Sequence, residues 1–131
     1  MMKIKLFLML IVGVLLSILN VAPNKVFGYS GVVAWGNDSQ GQISGAPSGS
    51  DFIDIAGGSV FGMALRVDGT IEVWGGKIGP WGEDISSIFD NVPSGNFKCI
   101  SAGLYHAVAL DASGYVKTWG NNSQGALNCH W

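Results

Sequence analysis

Residues 52–75, FIDIAGGSVFGMALRVDGTIEVWG, lie over residues 97–120, FKCISAGLYHAVALDASGYVKTWG, at a constant offset of 45 and without a gap. Eight of the 24 positions are identical: Phe52/Phe97, Ile55/Ile100, Gly58/Gly103, Ala64/Ala109, Leu65/Leu110, Gly69/Gly114, Trp74/Trp119 and Gly75/Gly120. Self-similarity at a fixed period means that the chain is built from copies of one supersecondary unit. An earlier copy has left its tail in Val32, Trp35 and Gly36, which match Ile71, Trp74 and Gly75. The Asn-x-Ser-Gln-Gly that follows Gly36 returns after Gly120. Trp-Gly therefore closes a segment, and the amide-rich stretch turns the chain toward the next one.

Each unit reads as short strands. FIDIA and FKCIS alternate in polarity, and Gly57-Gly58 or Ala102-Gly103 then offers a turn, for which positive φ at glycine is the expected device. In GMALRV and AVALDA small residues alternate with large ones, Gly62 and Ala64 opposing Met63 and Leu65, and Ala107 and Ala109 opposing Val108 and Leu110. Asp68-Gly69 and Ser113-Gly114 signal hairpin turns, and TIEVWG and YVKTWG are the return strands. No 3.6-residue amphipathic pattern appears after residue 28. A unit of roughly 40–50 residues made of short antiparallel strands indicates a β-propeller blade. The small face of the middle strand suits a place where blades crowd toward a central axis. The fold expected is all-β: a repeat tail at 31–51, a repeat at 52–96 and an incomplete repeat at 97–131, about two blades of an incomplete propeller.

Residues 1–28 read differently. A lysine-bearing start, the uncharged run LFLMLIVGVLLSILNVA and a small-residue exit at Gly28 are the layout of a secretory signal peptide. The run is long enough that an uncleaved membrane anchor is the rival reading. Beyond the leader, Arg66, Lys77, Lys98 and Lys117 face nine acids, a formal charge of −5. The basic footprint of a nucleic-acid binder is absent. Cys99 and Cys129 are the two cysteines, and an oxidising compartment allows them one pairing. Spacing does not fix whether they form it. His106 and His130 make no zinc-ligand spacing with them. No metal or cofactor is expected.

The positions Ile100, Gly103, His106, Ala109, Leu110, Gly114, Trp119, Gly120, Asn121 and Gly125 together resemble the repeat of the regulator of chromosome condensation family. The resemblance extends over most of residues 31–128 and is nearest to a secreted bacterial branch that includes β-lactamase-inhibitor propellers. It implies a propeller of the seven-bladed type, of which this chain holds about two blades. The family's nuclear members promote guanine-nucleotide exchange on a small GTPase and contact chromatin; the leader and the acidic balance speak against both here. The chain departs from the pattern after Trp74, where GGKIGPWGEDISSIFDNVPSGN replaces the Asn-x-Ser turn. That connection is six residues longer than its counterpart between Trp35 and Phe52.

The acids are scattered without paired spacing, and no nucleophile or phosphate-loop motif is present, so no enzyme is expected. His106 lies at a strand end, where the other repeat has Phe61, and a base without a partner within reach performs no catalysis. The resemblance places that position at a partner-binding face in some relatives. A protein-binding module fits best, with Trp81 and Phe89 of the long connection and Tyr105 and His106 of the strand corner as candidate contacts. Trp81 and Phe89 folding back onto the blade is the competing reading. A carbohydrate-binding propeller is the alternative of another class, because Trp faces beside Asn and Asp suit a sugar. Two blades also leave a strand edge open at each end. The chain is therefore expected to be a fragment of a longer propeller or to associate with itself through exposed blade edges.

Overall fold

The computed structural model describes residues 31–123 and 125–127. The leader, Cys129 and His130 lie outside the described residues, and with them the leader's fate and the pairing of Cys99. Six strands form two antiparallel sheets: β1 (Phe52–Gly57), β2 (Phe61–Arg66) and β3 (Ile71–Gly75) in the order β1-β2-β3, and β4 (Phe97–Ala102), β5 (His106–Asp111) and β6 (Val116–Gly120) in the order β4-β5-β6. Among the described residues these are two blades of a propeller, as the repeat predicts.

The two sheets agree even in their irregularities. Phe52 pairs with Arg66 while Asp54 pairs with Leu65, so Ile53 is an extra residue in β1. Phe97/Asp111 and Cys99/Leu110 reproduce that bulge at Lys98. Strict alternation would send residues three apart to opposite faces. The bulge cancels this, and Phe97 and Ile100 are both buried. Each hairpin turns through three residues ending in a left-handed glycine, Gly69 (φ 84°) and Gly114 (φ 92°). Their N–H groups donate to Arg66 O at 2.9 Å and Asp111 O at 3.1 Å.

The Asn-x-Ser stretch is a turn in both places. Asn37 Oδ1 accepts the Ser39 N–H at 2.7 Å, and Asn121 Oδ1 accepts the Ser123 N–H at 2.7 Å. The next residue closes the wider loop: Asp38 Oδ1 accepts the N–H groups of Ile43 and Ser44, and Asn122 Oδ1 accepts that of Leu127. The bonds from Ser44 and Ile43 hold the Asp38 carboxyl below its ordinary value of 3.8.

Two sequence expectations are corrected. Gly58 and Gly103 do not have positive φ. A Cβ at Gly58 would stand 2.0 Å from Phe61 Cε1, and one at Gly103 would stand 2.3 Å from His106 Cε1. Glycine is required there because the ring three residues on lies across it. The small residues of the middle strand serve a similar purpose. A Cβ at Gly62 would meet Trp74 Cζ2 at 2.4 Å, so the small face receives an indole from the return strand. Finally, a short helix, α1 (Ser87–Asp90), does follow residue 28. Ile85, Ile88 and Phe89 carry its three- and four-residue spacing, too brief for a periodic pattern to show.

The core lies between the blades. One wall is the β2 face carrying Met63 and Leu65; the other is the β4–β6 face carrying Ile100, Ala107, Ala109 and Trp119. Ile85 and Ile88 complete it from the connecting segment and are fully buried. Each such aliphatic side chain contributes about 1.5–3 kcal/mol. Hydrogen bonds tie the walls: Asp54 Oδ2 accepts the Ile100 N–H at 3.1 Å, the Phe97 N–H donates to Gly69 O at 2.9 Å, and Ser59 Oγ donates to Leu104 O at 2.8 Å.

The glycine of each repeat-closing Trp-Gly pair is left-handed: Gly36 at φ 114°, Gly75 at 110° and Gly120 at 109°. At Gly75 a Cβ would also stand 2.4 Å from Val60 O. Gly75→Ala is therefore expected to destabilise by more than about 1 kcal/mol. For a domain of this size that is a fall of about 4–8 °C or more in Tm. Gly57→Ala, with ordinary φ and open space around it, is the control. It is expected to be neutral or slightly stabilising, as Ala102 already is at that place in the second blade. Thermal unfolding of the two variants checks both.

Candidate functional site

Residues 76–96 carry the chain from β3 to β4 and hold the least repetitive surface. Their first half is a small hairpin. Ile78 and Asp84 form an antiparallel bridge, the Gly79 N–H donates to Glu83 O at 2.7 Å, and the Ile85 N–H donates to Lys77 O at 2.9 Å. The tip is Gly79-Pro80-Trp81-Gly82, closed by the Gly82 N–H on Gly79 O at 3.0 Å. Pro80 presets φ at the second turn position, and Gly82 takes φ 91°. Glu83 Oε2 also accepts the Trp81 N–H at 3.2 Å. The backbone beneath the indole is thus held from three sides.

The candidate residues separate. Trp81 is 75% exposed at this tip, with Ile78 and Leu104 the other exposed apolar residues of the two loops. Phe89 is half-buried on α1 and packs against the core, with Lys77 Nζ 5.4 Å from its ring centre and paired to Asp90 at 3.0 Å. Folding back therefore describes Phe89, not Trp81. Leu104 and Tyr105 form the tip between β4 and β5, and His106 opens β5 with its half-buried ring against Gly103. The Trp81 hairpin and Tyr105 do come together. A Cβ at Gly79 would stand 2.6 Å from Glu83 Oε2 and 3.1 Å from Tyr105 Cε1, so the Tyr105 ring lies along the base of the hairpin.

The sequence offered no sign that Gly79 and Glu83 join these parts, because neither belongs to the repeat. The one local signal for Ile85 and Ile88 is the turn that leads into the helix, where Asp84 Oδ1 accepts the Ser86 N–H at 2.8 Å. Among the described residues no group of three His, Cys, Asp or Glu side chains is placed to hold a metal ion. No helix among them is long and apolar enough to cross a membrane.

Residues 97–126 match the family model described as the regulator of chromosome condensation (RCC1) repeat. Over these residues the chain is similar to one repeat of that family. The match spans β4 to β6 and the turn beyond, and the internal offset extends the repeat to the first blade. A curated relative, the mitochondrial RCC1 domain-containing protein RUG3 of Arabidopsis thaliana, is 36% identical over 90 residues. That overlap is 63% of this chain and 20% of that protein, so the chain spans about a fifth of the relative's length. Among solved structures, the C-terminal domain of gp131 from bacteriophage phiKZ overlays with a TM-score of 0.45 at 19% identity, over 63% of this chain and 23% of that one. Yeast RCC1 (Prp20), solved bound to Kap60, overlays with a TM-score of 0.43 at 21% identity, over 59% and 21% of the two chains.

The Tyr105 hydroxyl is shielded and has no hydrogen-bond partner among the described residues. Burial first, and then the Glu83 carboxylate beside it, raise its pKa above the ordinary 10.0. A phenol whose folded pKa exceeds its unfolded one stabilises the fold fully below the unfolded value. That contribution is lost as pH climbs from about 10 through the folded pKa. In a titration followed by tyrosinate absorbance, the last phenol to ionise before unfolding is expected to vanish in Tyr105→Phe. The variant should also lose less stability than the parent above that pH. A late component that survives the substitution would assign it to Tyr29 or Tyr115.

Proposed function

We propose that the chain is an exported protein-binding repeat module without catalysis of its own, and that it meets its partner through the Trp81 hairpin. The observation that carries this reading is the exposure of Trp81 on a turn fixed by the bonds of Gly79, Gly82 and Glu83. The hairpin is anchored in turn by the buried Ile85 and Ile88. An aromatic presented rigidly loses little conformational freedom on binding, and for that reason Trp anchors dominate interfaces. Ile78 and Leu104 supply apolar surface nearby, and Tyr105 supports the hairpin from below. The yeast neighbour is a complex with another protein, which agrees with a binding role. The leader and the likeness to secreted inhibitor propellers favour a partner met outside the cytoplasm, an inhibited enzyme or a cell-surface protein.

Two measurements test this. The mature chain is expected to begin at Tyr29 when its N-terminus is sequenced from the extracellular fraction. Retention of residues 1–28 in a membrane fraction would replace the exported form with an anchored one. Trp81→Ala is expected to abolish capture of the extracellular partner with Tm unchanged, a loss of about 2 kcal/mol or more. That corresponds to roughly thirty-fold in affinity. Binding to a glycan array that depends on Trp81, with no protein captured, would move the function to carbohydrate recognition.

A further inference from the structure

The interface between the two blades is a template with a free copy of each half. Its first half is the β2 face of the first blade, Met63 and Leu65, both fully buried. The same face of the second blade carries Val108 and Leu110, which are only half-buried. Its second half is the face carrying Ile100, 9% exposed under the first blade. The matching residue of the first blade, Ile55, pairs with Ala64 as Ile100 pairs with Ala109, yet is 51% exposed. A cavity of about 330 Å3 opens over that face, lined by Ile55, Gly57, Gly62 and Trp74 and partly roofed by Val32 and Ala34.

We infer that these two faces dock on each other between copies of the chain, the Val108–Leu110 face of one copy covering the Ile55 face of the next. The occupant is a second copy because the chain already builds this contact once within itself, between residues 45 positions apart. The incoming β6 takes the third-strand position whose sequence Val32–Gly36 repeats. That segment belongs to no strand, its Trp35 is 85% exposed, and it gives way. The contact is head-to-tail, so it propagates until the rotation between copies closes a ring. It runs through sheet faces and does not require the pairing of open strand edges. One element of the template is missing. Cys99 stands where Asp54 accepts the Ile100 N–H, so the contact between copies lacks that bond and is weaker than the internal one. This inference is independent of the Trp81 reading, which concerns a different surface.

The test uses the full chain, with and without detergent, and its mass by light scattering across a range of concentrations. The parent is expected to associate with rising concentration. Ile55→Lys and Leu110→Asp are each expected to remain monomeric, with circular dichroism matching the parent; Val108→Lys serves if Leu110→Asp fails to fold. Mixing the Ile55→Lys and Val108→Lys proteins should give a dimer and nothing larger, because the mixture retains one intact face of each kind and the two altered faces repel. A parent that stays monomeric overturns the inference. So does association that survives both face substitutions, which would assign it to the leader or the Trp81 surface, or a mixture that remains monomeric while the parent associates.

Discussion

Everything in this structure depends on one contact, a sheet face of small residues and tryptophan laid on a sheet face of Met and Leu. A three-stranded sheet with apolar residues on both sides cannot be satisfied alone, since covering one face leaves the other in water. Met63 and Leu65 reach full burial only because Ile100, Ala107, Ala109 and Trp119 close over them. The bulge at Lys98 serves that contact, because it brings Phe97 and Ile100 to the same side. The bond from the Ile100 N–H to Asp54 adds little energy by itself, but it fixes the slide of one sheet along the other. Packing supplies the stability, and these few bonds supply the register.

The sequence made legible what is decided locally. The hairpin at Asp68-Gly69, the turn at Asn37 and the closing Trp-Gly pairs depend on residues within five positions of one another, and the structure places each where the repeat put it. What stayed hidden was decided across the chain. Gly58 and Gly103 looked like turn glycines, and the real demand on them is the ring of Phe61 or His106. At Gly62 the demand that the structure shows is the Trp74 indole. In both cases a missing Cβ makes room for a side chain on a paired or neighbouring position. A pattern of residue types cannot say which ring fills the room until the register is known.

Sites behave in the opposite way to scaffold here. Positions that repeat hold the blades together, whereas the candidate surface is built from positions that do not: Trp81, Glu83, Gly79 and Tyr105, whose counterpart in the first blade is Val60. The six extra residues after Trp74 do two jobs. Ile85 and Ile88 enter the core and cap the blade junction, with Ile88 O accepting the Trp119 indole N–H at 3.0 Å. Anchoring at that end lets Pro80 and Trp81 stand out at the other without loosening the fold. In the shorter connection Gln42 O accepts the Trp74 indole N–H at 2.9 Å, so the anchoring bond is kept and the projecting hairpin is not.

The three tryptophans of the repeat-closing Trp-Gly pairs show that burial belongs to the neighbour and not to the motif. Trp119 lies over Ala107, beneath Ile88, and is 4% exposed. Trp74 lies over Gly62 with only the shorter connection above it and is half-buried. Trp35 is followed by the same glycine, has no paired strand beneath it, and is almost wholly exposed. One residue type before the same glycine thus runs from core to surface as the strand under it and the cap over it are removed. A large indole left in water costs a fold the burial it was selected to provide. The gradient from Trp119 to Trp35 therefore marks the direction in which this chain is unsatisfied, toward the first blade's open face, where Ile55 and the cavity also lie.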